Sequence, residues 1–198
     1  MLLASMRPAW YQPVPIDFAR LPDDKSALFA VENAISAALN AGRPATITLD
    51  EAQLNRWIAA RGELDAASLA SSAGWSDPVV RLEAGTIRLG ARLERGKAPF
   101  VMSVALRPVV DDGVLDVRIE AISIGRARVP VSLLLPWVRS LTTESLPNEL
   151  ALHDRGVRVV GRLVWPNGRR AFRVSSVDVE LGHVTFVLEP LATVPGRR

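Results

Sequence analysis

From Val79 to Glu189 the chain is written in a period of two. In Leu82-Glu83-Ala84-Gly85-Thr86-Ile87-Arg88-Leu89-Gly90-Ala91-Arg92-Leu93-Glu94, apolar side chains hold one parity and charged ones recur on the other. A strand alternates its side chains between two faces, so this pattern describes strands with one face buried and one wet. Such strands read at Val79–Ala84, Thr86–Glu94, Ala98–Val110 and Val114–Ile124, then at Gly156–Trp165, Arg170–Leu181 and Gly182–Glu189. Asp111-Asp112-Gly113 and Asn167-Gly168 are hairpin turns, since Asn, Asp and Gly accept the positive φ that short turns demand. The two blocks therefore fold as antiparallel meanders, which could be halves of one sheet.

The alternation slips twice. Leu115, Val117 and Ile119 share one parity, but Ile122 and Ile124 carry the other after Ala121. Phe172 and Val174 likewise give way to Val177, Val179 and Leu181 across Ser175-Ser176. One extra residue at each point, a β-bulge, restores the phase and bends the strand. Strands of about ten residues span about 33 Å. Long antiparallel strands with one apolar face and bulges make a curved sheet, and something must cover that face. The expected fold is α+β, a long curved antiparallel sheet in two meander blocks wrapped around an N-terminal helix.

That helix reads at 24–41, where Leu28, Val31, Ile35 and Leu39 recur at helical spacing, Asp23-Asp24 can cap, and Gly42 and Pro44 stop it. Ala45-Thr46-Ile47-Thr48-Leu49 is a short strand running into a second helix. Two capping frames fit there: Thr48 with Glu51, or Asp50 with Gln53 and a Leu49–Leu54 staple. Leu54, Trp57, Ile58 and Arg61 share a face of that helix. Residues 63–78 read as a mobile connection, and Pro136 suits the first turn of a short helix within 131–143. Residues 1–22 form an extended Pro-rich arm in which Trp10 and Tyr11 pack on the domain or meet a membrane. Residues 23–191 are one α+β domain, and 192–198 a frayed tail.

Composition narrows the function classes. A chain of 198 residues with no cysteine has room for one real core and excludes disulfides and thiolate metal sites. The net charge is only +3, nearly all of the 24 basic side chains are arginine, and both signs interleave along the strands. A nucleic-acid binder gathers its charge into a patch or stripe instead, so nucleic acid is not an expected partner. The two histidines, His153 in a loop-like stretch and His183 on a polar strand parity, have no ligand-spaced companions. No GxSxG elbow, phosphate-cradling glycine loop or carboxylate pair beyond turn and cap residues is present. The expectation is a non-enzymatic protein with no catalytic residues, no metal and no cofactor.

What is left is surface. Phe100, Met102, Val104, Leu106, Leu115, Val117 and Ile119 form an apolar stripe. It is core if a helix covers it, or the lining of a groove for a lipid or acyl chain if the cover is incomplete. Trp165, Arg169 and Arg170 flank the Asn167-Gly168 tip, where an interfacial Trp and two cations could meet anionic headgroups of a membrane surface. The alternative is a turn with solvated charges.

Two segments resemble a known family. Ile47-Thr48-Leu49-Asp50-Glu51-Ala52-Gln53-Leu54-Asn55-Arg56-Trp57-Ile58 resembles the strand-to-helix signature of YpmS-like bacterial membrane-anchored domains. Ile122-Ser123-Ile124-Gly125-Arg126-Ala127-Arg128-Val129-Pro130 is similar to the link preceding their second helix. The resemblance, about 25 residues in motif, implies distant kinship with tubular lipid-binding domains, tethered by one N-terminal span and facing outward. This chain lacks that span, so the tether would have to precede Met1. The resemblance assigns no functional residue. The reading is thus a membrane-proximal module holding an apolar ligand in the sheet's concavity, with a packed protein-interaction or scaffolding domain as the alternative.

Overall fold

The computed structural model describes residues 6–15, 17–64, 75–94, 99–132, 149–153, 155–159, 163–164 and 170–191. Helix α1 spans Leu21–Asn40, strand β1 Ala45–Asp50 and helix α2 Glu51–Leu64. The meanders follow as β2 (Trp75–Glu83), β3 (Thr86–Leu93), β4 (Phe100–Asp111), β5 (Val114–Ile124) and β6 (Ala127–Val129). The last strands are β7 (Leu150–His153), β8 (Gly156–Val159), β9 (Leu163–Val164), β10 (Ala171–Glu180) and β11 (His183–Pro190).

The expected antiparallel α+β fold with its N-terminal helix is present, and the strands are shared between two sheets. A large sheet runs β2-β3-β4-β5-β8-β7, with β6 also pairing on β5, and a small one runs β1-β11-β10-β9. The second block does not stay together: β7 and β8 join the large sheet, whereas β9, β10 and β11 join β1. Leu152 and His153, the start of the loop-like stretch around His153, instead close a strand, Leu150–His153, which pairs residue for residue with β8. Trp75–Pro78, read as part of a connection, begins β2. Most of that connection, all but the first two residues of the 131–143 segment, and the Asn167-Gly168 turn lie outside the described residues.

Both parity slips are bulges. Ala105 faces Ala121 but Leu106 faces Ile119, leaving Glu120 as the extra residue of β5. Val174 faces Leu188 and Ser176 faces Val187, leaving Ser175 extra in β10. A third irregularity lies between Ser76 and Val79, where Asp77 takes a positive φ of 52°. At the β4–β5 turn Asp112 and Gly113 have φ of 49° and 74°, the mirror-image turn that matches strand twist.

The inner faces of the two sheets meet in one core. Val80 and Leu82 of β2 pack with Val179 and Val184, joined by Leu49, Leu54, Ile58 and Ile87. Ile35 and Leu39 of α1 pack with Ala45, Phe172, Val174 and Leu188, and reach Val110 and Leu115 at the turn end of the large sheet. The sheets are also stitched by backbone bonds, Gly85 N–H to Val179 O (2.7 Å) and Gly182 N–H to Leu82 O (3.1 Å).

The helices begin differently from one another. α1 starts at Leu21 rather than at an Asp23-Asp24 cap. Asp17 accepts from the backbone N–H of Ala19 through its side chain and from those of Arg20 and Leu21 through its carbonyl. Pro22, Asp23 and Asp24 then occupy the first turn, where a missing N–H costs nothing and negative charge meets the positive helix end. For α2 the second capping frame is the one formed: Asp50 Oδ1 accepts from Gln53 N–H at 2.6 Å. Glu51 is thereby free to accept from Arg81 (2.8 Å) and from the backbone N–H of Leu82 (2.7 Å).

The Pro-rich arm packs on the outer face of the large sheet. Tyr11, 3 % exposed, clusters with Val79, Val101 and Trp10, and its hydroxyl donates to Asp77 O at 2.7 Å. Gly90 makes the room, since a Cβ there would lie 2.5 Å from the Trp10 ring. Burial, with the Asp77 carboxylate nearby, pushes the Tyr11 phenol up to about 12. Tyr11 is the only tyrosine, so absorbance titration near the phenolate band reads it alone. The expected midpoint is near 12 in the folded chain and near 10 in denaturant. A raised folded value means that the stabilisation is complete below pH about 10 and is lost as pH rises through about 12. Gly90→Val, which evicts Trp10, is expected to return the midpoint toward 10; an unchanged midpoint would show that the arm is held elsewhere.

Candidate functional site

The register places the apolar stripe on one face. Leu93, Ala91, Leu89 and Ile87 of β3 stand opposite Phe100, Met102, Val104 and Leu106 of β4. Those last three stand opposite Ile124, Ile122 and Ile119 of β5, and Val110 and Pro108 opposite Leu115 and Val117. This face also carries Val80 and Leu82 of β2, opposite Leu89 and Ile87. It is covered unevenly. The turn end lies under α1 and the small sheet, where Leu115 belongs to the core. Leu106, Val117 and Ile119 are half-buried.

Toward the other end the face opens into an apolar groove of about 270 Å³, to which Met102, Val104, Leu89, Ala91, Trp75 and Ile58 contribute. Leu89 is 37 % exposed there, an unusual state for leucine on the inner face of a sheet. Phe100 lines a separate groove of about 220 Å³ beside Arg7, Tyr11 and Arg92. Of the seven stripe residues, then, Met102 and Val104 meet in the open groove. Sequence reasoning missed Leu89, Ala91, Trp75 and Ile58 as lining. Pairing β3 against β4 as neighbouring antiparallel strands would have found Leu89 and Ala91; Trp75 carried no signal because its stretch reads as a connection.

Trp165 and Arg169 lie outside the described residues. Arg170 turns its guanidinium onto Gly42, with Nη1 2.7 Å from where a Cβ would stand.

One polar cluster has the makings of chemistry. On the outer face His153 Nε2 lies 2.8 Å from Asp116 Oδ1, and Arg158 Nη2 donates to Oδ2 at 3.2 Å. Arg118 stands 3.5 Å from the same oxygen. Asp116 is 5 % exposed. Burial alone would raise its carboxyl, but hydrogen bonds and charge from His153 and Arg158 outweigh it and hold the group below the usual carboxylate range. The imidazole is fully engaged: Arg155 N–H donates to Nδ1 at 3.3 Å, which leaves Nε2–H to donate to Asp116. In this arrangement Asp116 orients the ring from one side and a backbone N–H meets it from the other. The cluster therefore ties β5, β7 and β8 together. Among the described residues no group of three His, Asp or Glu is placed to hold a metal ion. No helix of the described residues is long and apolar enough to cross a membrane.

Comparison with family models, with curated proteins and with solved structures yields no match.

Proposed function

We propose that this chain is a non-enzymatic binding module that lodges a single acyl chain in the open groove of its large sheet, as part of a membrane-proximal assembly. The observation that supports it is the apolar inner face that continues past its cover into a groove floored by Leu89, Met102 and Val104. Its volume of about 270 Å³ falls just under the roughly 300–1,000 Å³ of small-molecule sites, which suits one narrow chain. The polar cluster around Asp116 joins β5, β7 and β8 on the outer face, away from this groove.

Fluorescence titration with a labelled medium-chain fatty acid tests the reading. Ala91→Trp, which fills the groove, and Leu89→Ser, which makes its floor polar, are each expected to weaken binding at least ten-fold. The Leu89 variant should leave Tm nearly unchanged because that side chain is already partly in water. Native mass spectrometry of freshly purified protein should show adducts of acyl mass. Bare protein that ignores the fatty acid would favour a packed interaction domain instead.

A further inference from the structure

The two long sheet flanks nearest the helices are treated oppositely. The outer flank of β2 is covered by α2: Asn55 bonds both backbone groups of Val80, and Glu51 accepts from Leu82 N–H. β2 also carries Pro78 and an irregular register at Asp77, the devices by which edge strands are kept from pairing. β1 is the terminal strand of the small sheet and pairs only with β11 among the described residues. Its register is unbroken over six residues, Ala45-Thr46-Ile47-Thr48-Leu49 contains neither proline nor charge, and such guards stand only at its ends, Pro44 before the strand and Asp50 as its last residue.

Beside that flank runs a groove of about 420 Å³ between β1 and α1. Its helix wall is Val31, Ala34, Ile35 and Ala38, spaced to present one stripe, and its strand wall includes Ile47 and Leu49. None of its lining residues is charged, in a chain where 23 % of residues are. Among the described residues no backbone pairs with the outer N–H and C=O groups of β1, and such groups ask for a backbone, which an acyl chain cannot offer. The uncharged wall asks for apolar side chains on every second residue. We propose that β1 and α1 form a docking site for an extended peptide segment of another protein. The segment adds as a fifth strand to the small sheet and packs its uncharged, alternately apolar side chains under α1. A second copy of this chain fits less simply, because β1-to-β1 pairing about a two-fold axis would bring another α1 to the same side of the joined sheet.

The proposal is independent of the acyl-chain groove. A phage-displayed library of random dodecapeptides, selected on the full chain, tests it. Enriched peptides are expected to carry apolar residues at alternate positions with no charge between them. A synthetic copy of the best one should slow amide exchange at alternate residues of 45–49 at least ten-fold. Ala34 is exposed, so Ala34→Trp and Ala34→Glu should preserve Tm while weakening that peptide at least ten-fold. Failure to enrich any alternating peptide, protection mapped away from β1, indifference to both Ala34 variants, or dimerisation through β1 in sedimentation would each overturn it.

Discussion

Asn55→Ala is expected to lower folding stability by about 3 kcal/mol or more, because several buried backbone groups lose their partner at once. Asn55 is 7 % exposed. Its Oδ1 accepts from Val80 N–H at 2.7 Å, and its Nδ2 donates to Val80 O and Glu51 O, both at 2.8 Å. One side chain thus mimics a neighbouring strand along β2 and ties the helix to the sheet. Leucine in place of asparagine should be no better, since shape without hydrogen bonds leaves the same groups dry. Asn55→Asp separates the two halves of the role. A carboxylate can still accept from Val80 N–H but cannot donate, so it sets a buried negative charge against two carbonyl oxygens. Its folded pKa should be raised, so its protonated form is the favoured one and stability should recover as pH falls toward 4. Urea denaturation of the three variants between neutral and acid pH measures this. Equal stability of Asn55→Ala and the parent would show that apolar packing through Leu54, Trp57 and Ile58 and the Glu51 bonds hold α2 without the Asn55 amide.

That role was partly legible. Leu49-Asp50-Glu51-Ala52-Gln53-Leu54-Asn55 announces a capped helix, and Asn55 is a poor choice for a helix interior unless its amide bonds backbone. What could not be read was the partner, Val80, because it lies across a connection whose length fixes no register. The same division holds elsewhere. The bulges at Glu120 and Ser175 were visible as broken parity, since a period of two records any inserted residue. The distribution of strands between two sheets was not visible, because β8 and β9 sit in one apolar run, Gly156–Trp165, and parity does not say which neighbour each half takes. The stripe's face was predictable residue by residue. Its uncovered part was not, since exposure of Leu89 depends on where α2 and the small sheet stop.

Gly156→Ala is expected to cost about 3 kcal/mol or more and to loosen β7 and β8 from the large sheet. Gly156 sits between Arg118 on β5 and His153 on β7. A Cβ there would run into the Val117 carbonyl oxygen and lie 3.0 Å from the Arg118 Cα. These are backbone atoms, so no rotamer change relieves the overlap, and only β8 moving away from β5 can. That movement draws Arg158 and His153 off Asp116 and breaks the bond from Ile119 N–H to Arg155 O. A buried carboxylate that loses its two hydrogen bonds and keeps only the Arg118 guanidinium at 3.5 Å is among the costlier single changes a core can suffer. Gly85→Ala is the control. Its φ of 72° strains any side chain, but nothing lies within 4 Å of the added carbon, so the cost should stay near about 1 kcal/mol. Hydrogen exchange locates the damage: faster exchange at 150–159 with α1 and β1 unaffected identifies local detachment, whereas uniform loss would place Gly156 in the common core. If Gly156→Ala costs no more than Gly85→Ala, the close approach of β8 to β5 is not what secures the Asp116 cluster, and the imidazole–carboxylate–guanidinium bonds hold that edge unaided.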